Sequence, residues 1–411
     1  MLSYEAARQK VAEIAQAHVG ARSIEKINIL SGAGGAAIGR VLAENVLADR
    51  DYPPFNRSVR DGFAVRAADV AKVPAELKRV GEVKAGEAFA GTVGVGECVQ
   101  IMTGAPVPAG ADAVVMIEYT NAAVGGDAIR VDRVACVGDH IVPAGSEVCA
   151  GDVVLERGTR LGYAELAMAA QVGHVELSVY PRARVAILST GDEVVAADAT
   201  PAGHEIRNSN AVSLAAQIAL QGGEPVALGN ARDEIVELRR MIELGLAEDI
   251  LVLSGGVSMG KYDLVEDVLR ELGAEIFFDA VAIRPGRPAV FGTCRGKLVF
   301  GLPGNPVSTM VTCELLVAPA IDILSGGSAR PLPLLQAKLR REVCEKPGLA
   351  HFIPASVEFG AGEANVEPVP WQGSGDIVAV VDANCFLVVP PTREIIAAGE
   401  WVDVLLRRGV F

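Results

Sequence analysis

The sequence predicts a multidomain α/β protein. Its parts are a doubly wound parallel α/β domain, a β-rich inserted domain, a discontinuous helical and linker domain around the insertion, and a small C-terminal β-barrel. Three observations predict this. The apolar runs "ARVAILST", "DILVLSGG" and "KLVFGLPG" each end in a small-residue turn and alternate with helical stretches, the pattern of a parallel sheet covered on both faces. From about 51 to 140 the texture changes to short apolar runs separated by Gly and Pro. The tail from about 334 shows closely spaced short strands such as "FLVVPPT" and "WVDVLLRR".

Taken in order, residues 1–48 combine helical segments with the loop "SGAGGAAIGR", and 142–180 return to that style with the helix "LGYAELAMAAQVG". These two stretches are expected to form one domain, interrupted by the β-rich insertion at 49–141. The α/β domain spans 181–328, with helices expected in "SNAVSLAAQIALQGG", "EIVELRRMIELGL" and "YDLVEDVLRELG". "SGGSARPLP" reads as a linker into the barrel-like domain, 329–411.

At 411 residues, half of them hydrophobic, the chain can bury several cores. A formal net charge of −14 argues against nucleic acid or an anionic membrane as the main partner. The N-terminus lacks the basic start and apolar centre of a signal peptide. The apolar run "TMVTCELLVAPAIDIL" is broken by Glu314 and Asp322 and is too short to span a bilayer. Seven dispersed cysteines with no Cys-x-x-Cys read as reduced thiols in a cytoplasmic protein, and the five histidines form no zinc pattern.

Every strand of the α/β domain hands over to a polar loop, and ligands of open parallel sheets bind at such strand ends. In "SGGVS", Gly255 and Gly256 allow backbone N–H groups to form an anion nest, with hydroxyls from Ser254 and Ser258. The same letters also suit a tight strand–helix turn that binds nothing. "LPGNPVS" places Pro303, Gly304 and Asn305 ahead of a helix start that is free to face a ligand, or is only a helix start. "AIRPGRP" sets Arg284 and Arg287 around a Pro-Gly turn, where guanidinium forks can grip phosphate or another tetrahedral oxyanion. Asp61, Glu193, Asp233 and Asp263 stand at turns or element ends. Carboxylates near phosphates suit Mg²⁺, although each also reads as a turn or cap residue. The residues alone therefore reach a pocket for a phosphorylated ligand with Mg²⁺.

The ordered set "PPFNRSVRDGFAV", "IMTGAPVP", "LSTGDEVV", "IRNSN", "LSGGVSMGKYDLV", "IRPGRPAVFG" and "GLPGNPVS" closely resembles the MoeA/gephyrin family over essentially the whole chain. These are the molybdopterin molybdenumtransferases of molybdenum-cofactor biosynthesis. The resemblance implies a molybdopterin-binding-type α/β domain within an elongated four-domain homodimer. It implies adenylylated molybdopterin and molybdate as substrates, Mg²⁺ as cofactor and AMP as the released product. Implied partners are a molybdopterin adenylyltransferase and later molybdenum-cofactor enzymes. Carried over by motif, Asp61, Glu193, Asp263 and Arg284 are catalytic, Arg284 standing where lysine is usual. Glu193, Asp233 and Asp263 would hold the metal, while Thr103 and Ser374 would line the substrate cleft. Asp61 would face the SGGVS pocket of a second subunit. Three departures stand out: Asn56 in place of the usual aspartate, Glu147 where aspartate is common, and Ala280 where lysine is frequent. Arg284 and Arg57 are candidates to replace the lost cation. A non-catalytic molybdopterin carrier or scaffold, and a tungstate-specific transferase, are the alternative readings.

Overall fold

The computed structural model describes residues 1–20, 23–122, 127–256, 264–360 and 362–410. The α/β domain is built on a six-stranded sheet in the order Glu224–Ala231, Arg184–Thr190, Ile250–Ser254, Lys297–Leu302, Val290–Cys294, Glu275–Phe278. The first four strands are parallel, and the last two extend the sheet antiparallel. The antiparallel edge was not foreseen from the apolar runs. It arises because Arg295 and Gly296 both take positive φ (49° and 77°), which closes a tight hairpin between two strands instead of a helical crossover. Ile250–Ser254 is buried throughout, as a central strand covered on both faces must be.

On one face, α3 (Ser209–Gln221) and the long helix Pro306–Leu324 share a core with Val185, Ile187, Val252 and Phe300. On the other, α4 (Ile235–Gly245) and α5 (Leu264–Glu271) cover Ala186, Leu188, Leu251 and Leu253. Asn208 caps α3 by accepting from the backbone N–H of Ala211 at 3.0 Å. The helix Pro306–Leu324 has 19 residues, longer than the apolar run suggested and long and apolar enough to cross a membrane, yet it is mostly buried inside the protein. It is a core helix, and its hydropathy is that of a buried element.

That helix changes character midway. α6 (Pro306–Thr312) gives way to a π-helical turn at Cys313–Val317 and then to α7 (Ala318–Leu324). Pro319 has no N–H to return to the carbonyl of Leu315. Arg8, from the N-terminal helix α1 (Tyr4–Ala17), donates to that carbonyl instead at 2.7 Å. Helix α1 thus lies against α7, and its Tyr4 meets Phe352 of the C-terminal domain edge to face, 5.4 Å between centroids.

Following α1, the chain forms a small module. Glu25–Asn28 pairs with Glu176–Val179, and Val46–Leu47 with Val153–Leu155, around Leu42, Leu161, Leu177 and Val179, with Ala169 of α2 (Tyr163–Gln171) in the same core. Between them the chain enters and leaves the inserted domain as a two-stranded neck, where Arg57–Ser58 pairs with Ile141–Val142. The inserted domain is a six-stranded sheet whose strand Gly62–Val65 alternates Phe63 and Val65 into one core with Ala64 into another. In the C-terminal domain, Ala350–Phe359, Ala364–Pro368, Leu334–Leu339, Trp401–Leu406 and Cys385–Val389 close into a five-stranded barrel, since the last strand pairs with the first. Closure leaves no free edge within the ring. Ile283–Arg284 runs parallel to Ala350–His351, so the arginine turn is tied to the barrel as well as to the α/β domain.

Candidate functional site

Two adjoining chambers lie where the strands Arg184–Thr190, Ile250–Ser254 and Lys297–Leu302 end. The first, 400 Å³, is lined by Glu193, Asp233, Ser254, Gly255, Gly256 and the Pro303–Asn305 turn, together with Thr190, Arg207, Asn208 and Asn210. The second, 720 Å³, lies between the α/β domain and the barrel. It is lined by Arg284, Gly286, Arg287, Ser308, Glu345, Trp371 and Ser374. Pro288, Pro303 and Asn305 border both. The Nδ2 of Asn305 donates to the Oγ of Ser374 at 2.9 Å, and the N–H of Val307 donates to the Ser374 carbonyl at 3.0 Å. These bonds join the helix start to the barrel loop.

The glycines of the first chamber are required by geometry. Gly255 and Gly256 have φ of +95° and +63°, and a Cβ on either would stand 2.7 Å from a Thr190 oxygen. Gly286, between the two arginines, has φ +103°, and its Cβ would stand 2.6 Å from Cγ2 of Thr312 on the long helix. The arginine turn can therefore approach the helix that opens at the shared turn.

The two chambers differ in charge. In the first, burial and then repulsion from Asp192 and Glu193 raise the Asp233 carboxyl above its usual range. None of these three carboxylates makes an ion pair among the described residues. In the second, the exposed Arg284 and Arg287 are likewise without an ion pair among the described residues, whereas Glu345 is taken up by Nδ1 of His351 at 3.0 Å. Glu193 and Asp233 thus face the first chamber together with Arg207, whereas Arg284 and Arg287, short of an anion, face the second.

Asp61 and Thr103 meet, but elsewhere. The Oδ1 of Asp61 accepts from the backbone N–H of Thr103 at 2.7 Å and from its hydroxyl at 2.8 Å. The backbone bond and then the hydroxyl hold this carboxyl below its usual range. Gly62 follows because a Cβ there would run into the carbonyl of Val115 on the neighbouring strand. This Asp-Gly bend belongs to the inserted domain and lines neither chamber of its own chain.

Ser258 and Asp263 lie outside the described residues. Glu193 and Asp233 face one chamber, and no group of three or more metal-type ligands occurs among the described residues. Their chemistry nevertheless suits a hard cation, because unpaired oxygen donors repel one another there. Of the two candidates to replace the lysine absent at Ala280, Arg284 faces the second chamber. Arg57 is paired with Glu147 at 3.2 Å on the neck and faces neither. Ala280 also lines neither chamber. Asn56 holds the neck by accepting from the N–H of Ala144 at 2.9 Å, a role the missing aspartate is not needed for. Sequence reasoning missed Asn210, Trp371 and Thr190 as lining residues. The "IRNSN" motif contained the signal for Asn210, but nothing in it said which asparagine caps the helix and which faces the loops.

A parallel sheet with glycine-rich loops at its strand ends, sharing a cationic chamber with a closed barrel, is an α/β architecture suited to a small anionic ligand. The particular family follows from comparison. The MoeA N-terminal region (domain I and II) matches residues 2–173, the probable molybdopterin binding domain 186–322, and the MoeA C-terminal region (domain IV) 336–406. The chain is 33% identical over 379 residues to a molybdopterin molybdenumtransferase of Bacillus subtilis, covering 90% of this chain and 88% of that one. It is 31% identical over 375 residues to one of Staphylococcus aureus, covering 90% and 89%. Among solved structures, a molybdopterin biosynthesis moea protein from Pyrococcus horikosii superposes with a TM-score of 0.77 at 32% identity, covering 99% of each chain. This chain belongs to the MoeA family.

Proposed function

We infer that the chain is a molybdopterin molybdenumtransferase, inserting molybdate into adenylylated molybdopterin with Mg²⁺-dependent release of AMP. The observation that carries this reading is the pair of adjoining chambers sharing the Pro303–Asn305 turn, one with Glu193 and Asp233 in its wall and the other with Arg284 and Arg287. A ligand with a pterin, a pyrophosphate and a site for an oxyanion needs both kinds of surface within reach of one another.

The chain's own residues divide the work. Ser254 and the Gly255–Gly256 backbone bind phosphate oxygens in the first chamber. Arg284 and Arg287 orient the tetrahedral oxyanion and offset charge as it develops on the leaving phosphate. Ser374, held by Asn305, fixes the barrel side of the second chamber. Glu193 and Asp233 would hold Mg²⁺, which when bound supplies polarisation of the phosphoanhydride.

We also propose that the protein acts as a homodimer. Asp61 is ionised and hydrogen-bonded only on Oδ1 among the described residues, yet lines neither chamber of its own chain. A two-fold partner can bring an equivalent Asp61 to each site.

The test is AMP release from adenylylated molybdopterin, with molybdate or tungstate and with or without Mg²⁺. Release that needs both an oxyanion and Mg²⁺ is expected, with the preferred oxyanion deciding between molybdenum and tungsten. Tight binding of molybdopterin with no AMP released under any condition would make the protein a carrier.

A further inference from the structure

Asn210 lies at the second position of α3, two residues beyond Asn208, which already caps the helix. Its amide nitrogen nevertheless makes two hydrogen bonds outside the helix. Nδ2 donates to the Oγ of Ser254 at 2.8 Å and to the carbonyl of Gly304 at 2.7 Å. One side chain therefore spans the two loops that face each other across the first chamber.

The orientation of this amide is fixed by chemistry. The Gly304 carbonyl can only accept, so the atom facing it must be the nitrogen. The Oδ1 is then left buried with no partner among the described residues. An unpaired buried acceptor is unfavourable, and a residue needed only for the helix would not retain it. The bond to Ser254 has a further consequence. Because Ser254 Oγ accepts from Asn210, its own hydroxyl hydrogen is left to donate elsewhere, and Ser254 lines the chamber.

From Gly304 the connection continues to the second chamber through the next residue, since Asn305 donates to Ser374 of the barrel loop. We propose that Asn210 is a positioning residue: it sets the spacing between the Ser254–Gly256 loop and the Pro303–Asn305 turn and aims the Ser254 hydroxyl at the phosphorylated ligand. The proposal rests on the functional reading above.

Two variants test it. Asn210→Ala removes both donors without adding charge, and Asn210→Asp keeps the shape but presents a carboxylate to the Gly304 carbonyl. Near a helix N-terminus aspartate is favourable and alanine tolerated, so a residue serving only the helix predicts changes in melting midpoint alone. The positioning role predicts that both variants fold. Both should bind molybdopterin, followed by pterin fluorescence, about tenfold or more weakly, as loss of two hydrogen bonds implies. KM for adenylylated molybdopterin should rise at least as much, with a smaller change in kcat.

Two results would overturn the proposal. One is Asn210→Ala with KM and molybdopterin affinity within twofold of wild type. The other is impairment in Asn210→Asp alone, which would mean charge repulsion. If wild-type protein binds molybdopterin but releases no AMP, the functional reading fails, while the binding comparison still decides the role of Asn210.

Discussion

Replacing Gly255 by alanine separates a ligand-binding loop from a tight turn that binds nothing. At φ +95°, a Cβ at this position would stand 2.7 Å from the Thr190 carbonyl oxygen and 3.1 Å from its hydroxyl. The closer obstacle is backbone, held in parallel register one residue beyond the Ser189–Ser254 pair, so it cannot swing aside as a side-chain tip would. To restore ordinary contact the loop must retreat by roughly 0.7 Å or more. The positive φ adds about 1–2 kcal/mol. A melting midpoint a few degrees lower is therefore expected. A displacement of that size at a reacting centre costs on the order of 100-fold in kcat/KM. The assay is AMP-release kinetics together with molybdopterin binding, both well below the onset of melting. A turn with no ligand predicts the melting loss alone. Folded Gly255→Ala protein with wild-type KM and affinity would refute the nest.

Other outcomes follow from the same geometry. Asp61→Asn keeps an oxygen that can accept both Thr103 bonds, so melting should stay unchanged while AMP release falls about 100-fold or more; normal turnover would reduce Asp61 to a turn residue. The raised Asp233 carboxyl binds its proton more tightly in the folded than in the unfolded chain. It penalises the fold above that pKa, and the penalty fades as pH falls through it. Near neutral pH, Mg²⁺ should therefore raise the melting midpoint of wild type more than that of Asp233→Asn, and an equal gain in both would sink the metal assignment. Arg8→Ala leaves the Leu315 carbonyl without its outside donor and should cost about 1–3 kcal/mol by denaturant unfolding, with KM unchanged. Finally, Asp61→Asn and Arg284→Ala chains, each inactive alone, should regain roughly a quarter of wild-type activity when unfolded and reassembled together in equal amounts. Half the dimers are then mixed, and one site in each mixed dimer carries no lesion. Persistent inactivity, with subunit exchange shown by differently tagged chains, would exclude sites shared between subunits.

Much of this site was legible because its chemistry sits at strand ends. An apolar run that stops at Ser-Gly-Gly or Leu-Pro-Gly marks both the strand and the loop it presents, and the loops of parallel strands must gather on one side of the sheet. Arg284 and Arg287 were legible only in company: arginines on a Pro-Gly turn are more often just solvated, and it was the neighbouring anion loop in an acidic chain that singled them out. Partnerships between distant residues were not legible. Nothing local tells Asn208, which caps its own helix, from Asn210, which reaches two other loops. Helix α1 precedes the first strand of the small module, yet packs on α7 through Ala7, Val11 and Ala15, and its Arg8 reaches the Leu315 carbonyl that Pro319, some three hundred residues later, cannot serve. The fate of Arg57 was hidden likewise, because Glu147 lies ninety residues away, just beyond the other strand of the neck.

The long helix explains how the second chamber keeps its shape between two domains. At its start, Asn305 and the N–H of Val307 hold Ser374 of the barrel loop. Midway, the buried Glu314 accepts from Arg408 at the end of the barrel, at 2.7 Å, and from Gln221 of α3 at 3.2 Å. Near its end, Asp322, 1% exposed, accepts from Arg330 of the linker and from Arg160 of the N-terminal module, at 2.8 and 3.0 Å. A single buried ion pair is weak support for stability, because desolvation offsets much of the attraction. What these pairs supply is register. Each carboxylate on the helix meets an arginine from a particular other segment, so sliding the barrel along the helix would take Arg408 away from the buried Glu314. The arginine turn is fixed against the same helix by the close approach of Gly286 to Thr312. Arg284 and Ser374, both of which line the second chamber, are thus referred to one helix. Their spacing is set by the fold before any ligand arrives, which is the preorganisation that oxyanion binding in an acidic protein requires.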